Sequence, residues 1–579
     1  MLSGGRHGIA VFVSEGRAYA VDNRCPHMGF PLHKGSVRDG ILTCHWHHAR
    51  FDLESGGTFD PWSDDVRTYP VVVEDGIVFI DPAPPVEDAR TRWKNRLRDG
   101  MEQNLNLVTV KSVLALVDSG VDPGEVVEVG GTFGARYRER GWFSGLTILS
   151  AMTNMLPHLN SEDRVLALYH GLVRVAGDCA GQAPHFQLDE LPTRDVAPER
   201  LKSWLRGFVE VRDRHGAERA LLTAIDAGME PAALADMLLA AATDHLFLDG
   251  GHTLDFINKA CEMLDRIGWE RAGEVLPSVI PSITNASRSE ELNTWRHPVD
   301  LVRLVEESVR EIDVALAGPR DTGWAGRERM TDVLLGDDPY AIAVALLAAL
   351  RSGAPLTSVT QTLSYAAALR VAKFHTSNEF SDWITVLHTF TYANALHASM
   401  RRAPSPELAR GILHGAMRLY LDRFLNMPAA RLPEHRRTGA EPSDASGLLA
   451  RLLELTDQEQ RVNEAALVVH RYLSLGHDPA PLIATVGHVL LREDDEFHSY
   501  QMLEAGTALF SELKDDDAAA ANRVLVAVAR YLAAHAPTSR AMLQTAKTAI
   551  RLHRGEAIYE APAGVDDTDD SESLAAADD

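Results

Sequence analysis

Two short stretches near the start of the chain each contain a cysteine followed closely by a histidine. The first is Cys25-Pro-His27, within RCPHMGFPLHKG, and the second is Cys44-His-Trp-His47, within TCHWHHARFD. Each stretch offers one thiolate and one imidazole, a set that suits either a tetrahedral zinc ion or an iron–sulfur cluster with mixed ligands. The chain has only four cysteines, too few for a disulfide framework at this length, so metal binding better explains this pair.

The residues around these stretches predict a small all-β domain that carries them on its loops. Runs such as IAVFV, AYAV and ILTC alternate with turn signals, and Asp75-Gly76 within VVVEDGIVFI marks a two-residue hairpin. We expect this domain to cover residues 1–82, followed by a proline-rich linker at 83–92 that includes APPVED, residues 83–88.

Over about residues 8–82 the sequence resembles the Rieske ferredoxin family. The resemblance is carried by CPHMGFPLHKG, CHWHHARFDLESG and the closing YPVVVEDGIVFI. It implies a [2Fe–2S] cluster in which Cys25 and Cys44 hold one iron and His27 and His47 hold the other. Neutral imidazoles in place of two thiolates make that iron easier to reduce, so the implied role is electron transfer from an external reductase.

Two positions differ from the high-potential members of that family. Where those proteins carry two further cysteines, this chain has Phe30 and Trp46, so no disulfide can join the two loops. The resemblance therefore implies the lower-potential type that is associated with oxygenases.

The composition of the whole chain limits the remaining possibilities. The 579 residues are 45% hydrophobic and carry a formal charge of −25, which predicts a soluble multi-domain protein and argues against nucleic-acid or membrane partners. No secretory signal is visible at the N-terminus, so a cytoplasmic location is expected. Alanine- and leucine-rich periodicity predicts an all-helical domain at 93–562, and the acidic residues 563–579 predict a disordered tail.

The helical region contains an internal repeat. Gly120, Gly228, Gly353 and Gly476 each stand between two helical patterns with proline close behind, which is typical of a corner between helices. Neighbouring residues match in the order A-B-A-B, which predicts two halves, at about 93–335 and 336–562. A duplicated helical domain is expected to close around a pseudo-two-fold axis, with any internal site near the seam.

Histidines in this region suggest a second metal site. The repeat matches His170 with His414 and His252 with His498. His375 and Glu379 are four residues apart, as on one helical face, and His388 stands where the first half has Ser150. We therefore predict one non-haem iron site, in the second half only, whose candidate ligands are His375, Glu379, His388, His414 and His498.

Three functions remain open from the sequence. The favoured one is an oxidoreductase, in which the cluster passes electrons to an iron in the helical domain that activates oxygen for an unknown small-molecule substrate. The others are a redox sensor and an electron carrier, in which the helical repeats form a scaffold for a partner or ligand. The ring-hydroxylase histidine–aspartate signature and a glycine-rich nucleotide loop are both missing, so the reductant must come from a partner.

Overall fold

A computed structural model describes residues 7–82, 88–192, 196–318, 323–434, 442–556 and 558. It contains a small N-terminal β domain followed by a large helical region, as the sequence predicts. The described residues form two compact units: those up to Ala115 together with those from Thr545 onward, and Leu116–Gln544. None of the described helices is long and apolar enough to cross a membrane.

The β strands form three small antiparallel sheets. Their orders are β1-β2-β6, β3-β4-β5 and the hairpin β7-β8. The strands described are β1 (Ile9–Ser14), β2 (Arg17–Asp22), β3 (Ser36–Arg38), β4 (Ile41–Thr43), β5 (Arg50–Asp52), β6 (Thr68–Tyr69), β7 (Val71–Glu74) and β8 (Ile77–Ile80).

Tight two-residue turns set the register of this β domain. The predicted hairpin at Asp75-Gly76 is confirmed, and both residues have positive φ, 49° and 77°. This pair of dihedrals is the primed turn that matches the twist of antiparallel strands. A Cβ added at Gly76 would meet nothing within 4 Å, so the glycine serves the backbone conformation and not a close approach.

The core of the β domain lies beside the two loops that carry Cys25 and Cys44. Val21, Leu42 and Phe51 are fully buried there, and Cys25 and Cys44 belong to the same cluster of buried side chains. Burial of the cysteines thus follows from the same apolar packing that holds the sheets together.

The helical elements begin immediately after the β domain. The described helices are α1 (Ala89–Glu102), α2 (Asn106–Asp118), α3 (Pro123–Arg136), α4 (Ser144–Met155), α5 (Ser161–Cys179), α6 (Pro198–Glu210), α7 (Arg214–Asp226), α8 (Pro231–Thr243), α9 (His252–Ile267), α10 (Ala272–Val275), α11 (Ile280–Thr284), α12 (Leu301–Val309), α13 (Ile312–Leu316), α14 (Arg327–Leu334), α15 (Pro339–Arg351), α16 (Leu356–Ala372), α17 (Phe380–Arg402), α18 (Pro406–Asp422), α19 (Ala445–Leu455), α20 (Val462–Ser474), α21 (Pro479–Leu491), α22 (Phe497–Leu513), α23 (Ala518–His535) and α24 (Ala541–His553).

The predicted linker and tail are described only in part. Residues 83–87 of the linker and the whole tail at 563–579 lie outside the described residues. Asp88 caps α1 by accepting hydrogen bonds from the backbone of Arg90 and Thr91, so a helix starts inside the stretch predicted as linker.

The glycine corners of the repeat are present in the helical region. Gly120, Gly228, Gly353 and Gly476 follow α2, α7, α15 and α20, with φ of 74°, 74°, 90° and 78°. Each therefore ends a helix in the left-handed conformation, as the sequence predicts.

Four helices of this region, in two pairs that the predicted repeat matches, pack on one another. In the repeat, α4 corresponds to α17 and α9 corresponds to α22. In the structure, α4 packs on both α9 and α22, and α17 packs on the same two helices. Asp255 of α9 and Gln501 of α22 occupy equivalent positions and are joined by a hydrogen bond between their side chains. These contacts pair up as they would around a pseudo-two-fold axis between α9 and α22, the axis that the predicted repeat implies.

Candidate metal centres

The two cysteine-bearing loops of the β domain have the same backbone geometry. In each loop the cysteine N–H donates to the carbonyl five residues later, and the N–H four residues later donates to the cysteine carbonyl. The bonds are Cys25 N to Phe30 O (2.8 Å), Gly29 N to Cys25 O (2.8 Å), Cys44 N to Ala49 O (2.8 Å) and His48 N to Cys44 O (3.0 Å). Gly29 and His48 share a left-handed φ, 87° and 63°.

The cysteine side chains of these loops meet in the core. Cys25 and Cys44 are 2% and 1% exposed, form no disulfide, and lie within hydrogen-bonding reach of each other. The Cys44 sulfur and burial raise the pKa of the Cys25 thiol, while the hydrogen bond from Cys25 lowers the pKa of Cys44. Two sulfurs this close can both be thiolates only beside positive charge, which the irons of a cluster supply.

The histidines of the loops are also brought together. The ring centroids of His27 and His47 lie 4.9 Å apart, and Trp62 packs against His27 at 4.7 Å. The Nδ1 of His27 is buried and has no hydrogen-bond partner among the described residues. Burial, followed by the charges of His47 and Lys111, lowers the pKa of His27 to about 4. A neutral ring with an unused lone pair suits a metal ligand, so all four side chains fit a [2Fe–2S] cluster.

A buried charge cluster supports the first loop, and no sequence pattern predicts it. The Nζ of Lys111 donates to the Pro26 carbonyl and to Asp64 Oδ2, both at 2.5 Å. The Nε of Arg96 donates to Asp64 Oδ1 at 2.9 Å. Burial raises the pKa of Asp64, but Lys111 and Arg96 outweigh it and the net shift is downward. The loop residue between Cys25 and His27 is thereby tied to α2.

A second group of possible metal ligands lies among the central helices. His252 of α9, His388 of α17 and His498 of α22 each offer a ring nitrogen, and these atoms lie within 4.8 Å of one another. The Nε2 atoms of His388 and His498 are 2.8 Å apart. Burial and the neighbouring imidazoles lower the pKa of His252 to about 4 and that of His388 to about 2.

Glu496 orients one of these rings. The Nδ1 of His498 donates to Glu496 Oε2 at 2.6 Å, which turns Nε2 toward His388. Glu496 is itself held by the hydroxyl of Tyr531, which donates to Oε1 at 3.2 Å. Metal-bound histidines commonly donate their second ring N–H to a carboxylate in this way.

An unusual backbone segment lies against His388. Phe247, Asp249, Gly250 and Gly251 all have positive φ and lead directly into α9. A Cβ on Gly250 would be 3.8 Å from His388 Nδ1, and one on Gly251 would be 3.3 Å from the His388 carbonyl. Gly251 thus lets the start of α9, and with it His252, approach α17 closely, whereas Gly250 serves the positive φ of the segment.

The structure does not bring all of the predicted helical ligands together. His375 and Glu379 do not belong to the histidine group, because α17 begins only at Phe380 and the two residues lie in a turn. His375 Nδ1 bonds the Ser377 hydroxyl at 2.7 Å, and the Glu379 N–H donates to Asp382 Oδ2 at 3.2 Å. A four-residue spacing places two side chains on one face only inside a helix, and residues 375–379 are not helical.

His414 is also outside the group, and His252 takes its place. His414 is buried on α18, and burial lowers its pKa to about 4, with smaller opposing effects from the charges of Glu290 and Arg410. His170, its partner in the repeat, bonds the Tyr500 hydroxyl at 2.7 Å. Because His252 comes from the first half, the group spans both halves, whereas the sequence placed the site in the second. The match of His252 with His498 was the available signal.

Comparisons with known proteins match the N-terminal part of the chain. Residues 3–70 match the family model described as the Rieske [2Fe-2S] domain. The chain is 35% identical over 81 residues to the alkene monooxygenase ferredoxin component of Xanthobacter autotrophicus, which covers 14% of this chain and 66% of that protein. It is 39% identical over 74 residues to the 3-phenylpropionate/cinnamic acid dioxygenase ferredoxin subunit of Photorhabdus laumondii, covering 12% and 70%.

A longer relative matches over the same part. The 4beta-methylsterol monooxygenase of Methylococcus capsulatus is 36% identical over 89 residues, which cover 13% of this chain and 24% of that protein. The chain thus spans about two thirds of the two ferredoxin relatives and about a quarter of the monooxygenase. No family model matches the helical region, and no solved structure matches the chain.

Proposed function

We propose, from the premise that this chain belongs to the Rieske [2Fe–2S] family through residues 3–70, that Cys25, His27, Cys44 and His47 hold its cluster. The observation that carries the proposal is the meeting of two buried sulfurs and two adjacent imidazoles on loops of equivalent geometry. When bound, the cluster supplies one-electron chemistry at its histidine-bound iron.

The exposure of the ligand side chains indicates which edge of the cluster exchanges electrons. Cys25 and Cys44 are buried, whereas the His47 side of the second loop is exposed. Electron transfer is favoured at the exposed edge, so we propose that electrons enter and leave through the His47 ring. Lys111, which holds the Pro26 carbonyl, keeps the first loop in place while the charge of the cluster changes.

We propose that the whole chain is an oxidoreductase supplied by an external reductase. The two ferredoxin relatives are named as components of a monooxygenase system and a dioxygenase, which supports a role in passing electrons to an acceptor. Fusion of donor and acceptor in one chain raises their effective concentration, which is a physical reason for the attached helical region. We propose non-haem iron in that region as the acceptor and a small molecule as substrate, in the cytoplasm, where the free cysteines stay reduced.

Replacement of His47 by cysteine tests the ligand assignment. A third thiolate adds negative charge to the cluster, so the midpoint potential should fall by on the order of 100 mV or more, toward the roughly −400 mV of all-cysteine ferredoxins. The measurement is a redox titration followed by EPR. His45→Ala, in the same exposed loop, is the control and should leave the potential unchanged. A colourless protein that contains one zinc ion would contradict the proposal.

A further inference from the structure

We infer that His252, His388 and His498 bind a single ferrous iron at the seam between the two halves of the helical region. This iron would be the specific acceptor in the proposed electron-transfer function. The inference rests on that proposed function only for the source of the electrons. Metal binding itself stands on the geometry of the three side chains.

The distances among the rings suit one metal ion. Two nitrogens bound at right angles to a metal at about 2.1 Å lie about 3 Å apart. The Nε2 atoms of His388 and His498 are 2.8 Å apart, and the His252 ring lies 4.5 Å from the His388 ring, centroid to centroid. Small rotations of the rings therefore place all three nitrogens on one ion.

Glu496 supplies the second observation that points to a metal. Packing alone does not require a partly buried carboxylate to fix the tautomer of His498, but a metal ligand does need its free lone pair aimed at the ion. Glu496 is anchored by Tyr531, which is fully buried, so the ring orientation is built into the core before any ion binds.

The composition of the site indicates what else it binds. Three neutral imidazoles leave half of an octahedral coordination sphere open and bring no charge to the ion, so Glu496 behind His498 balances only part of its two positive charges. His252 is the first residue of α9 and His498 the second residue of α22, so the positive ends of two helix dipoles also face the site. The open positions are therefore suited to oxygen and to an anionic group, such as the carboxylate of a substrate.

Iron fits the chain better than zinc, although three histidines bind either metal. Zinc has no redox chemistry, so it could not accept an electron from the cluster in the same chain. Ferric iron in the site would become ferrous on receiving one electron from the reduced cluster. The external reductase would then reduce the oxidised cluster again. The asymmetry of the repeat limits the chain to one such ion, because Ser150 stands where the second half has His388.

The test is metal analysis of the full chain, expressed with iron and purified without oxygen. The wild type should hold three irons, and Mössbauer spectroscopy should separate one high-spin ferrous ion from the two of the cluster. His388→Ser, which installs the residue found at the equivalent position of the first half, should remove the third iron and leave the cluster spectrum intact. His375→Ser, in a turn outside the group, is the matched control and should keep all three.

Glu496→Gln adds a variant that retains all three ligands. It should weaken binding of ferrous ion to iron-depleted protein by about 10–100-fold, a graded effect that a purely structural role would not produce. Three results would overturn the site: two irons per chain with an intact cluster, a third iron that persists in His388→Ser, or zinc in the third position. Failure of the cluster proposal looks different, since the cluster signals would then be missing while the third metal remained.

Discussion

Replacement of Cys44 by serine should abolish the visible absorption and the EPR signal of the N-terminal cluster. Cys44 is 1% exposed and lies against Cys25, so no other side chain can take over its position. A serine oxygen is a harder ligand than thiolate and stays protonated, and it does not hold iron–sulfur clusters well. We expect cluster iron to fall from two atoms per chain to nearly none, as measured by iron and sulfide analysis.

Cys179→Ser is the matched control for this experiment. Cys179 is also buried, at 8% exposure, but it lies on α5 of the helical region. Cluster content and spectrum should therefore match the wild type. Retention of the cluster in Cys44→Ser, or its loss in Cys179→Ser, would show that the ligands were assigned incorrectly.

Replacement of Lys259 by methionine should destabilise the helical region by about 3–5 kcal/mol, because it leaves buried carboxylates without their counter-charge. Lys259 is 1% exposed, and its Nζ lies 2.7 Å from Glu504 and 2.8 Å from Glu262. Burial raises the pKa of Glu504 even with Lys259 beside it, so loss of the lysine makes the charged carboxylate still less favourable. The free energy of unfolding would be measured by urea denaturation followed by circular dichroism.

Two further variants separate this effect from simple loss of a side chain. Adding Glu504→Gln to Lys259→Met should recover part of the lost stability, because the uncompensated charge is then removed. Arg303→Ala breaks an exposed ion pair with Glu307 at 2.8 Å and should change the stability by less than about 1 kcal/mol. A small effect for Lys259→Met would mean that water reaches the buried carboxylates.

The β domain could be predicted because its signals are local. Each predicted cluster ligand lies within three residues of another in sequence, and turns such as Asp75-Gly76 fix strand pairing through neighbouring residues. The charge cluster that supports the first cysteine-bearing loop could not be predicted in the same way. Asp64 and Lys111 are 47 residues apart, and neither stands in a recognisable pattern.

The helical site was predicted only in part because it depends on long-range packing. The repeat indicates His388 and His498, but a prediction confined to the second half leaves out His252. The spacing of His375 and Glu379 has meaning only inside a helix, and the helix begins one residue after Glu379. Which side chains reach the candidate site depends on where each lies relative to the axis between α9 and α22. That position exists only in the folded chain.

The pseudo-two-fold axis has a consequence for the number of ligands at the seam. In a homodimer of identical half-chains, every side chain beside the axis occurs twice, so an ion on the axis receives its ligands in even numbers. Within one polypeptide the two copies are free to differ, as His388 and Ser150 do. The proposed set of three histidines is therefore compatible with two unlike halves in one chain and not with a symmetric homodimer of either half.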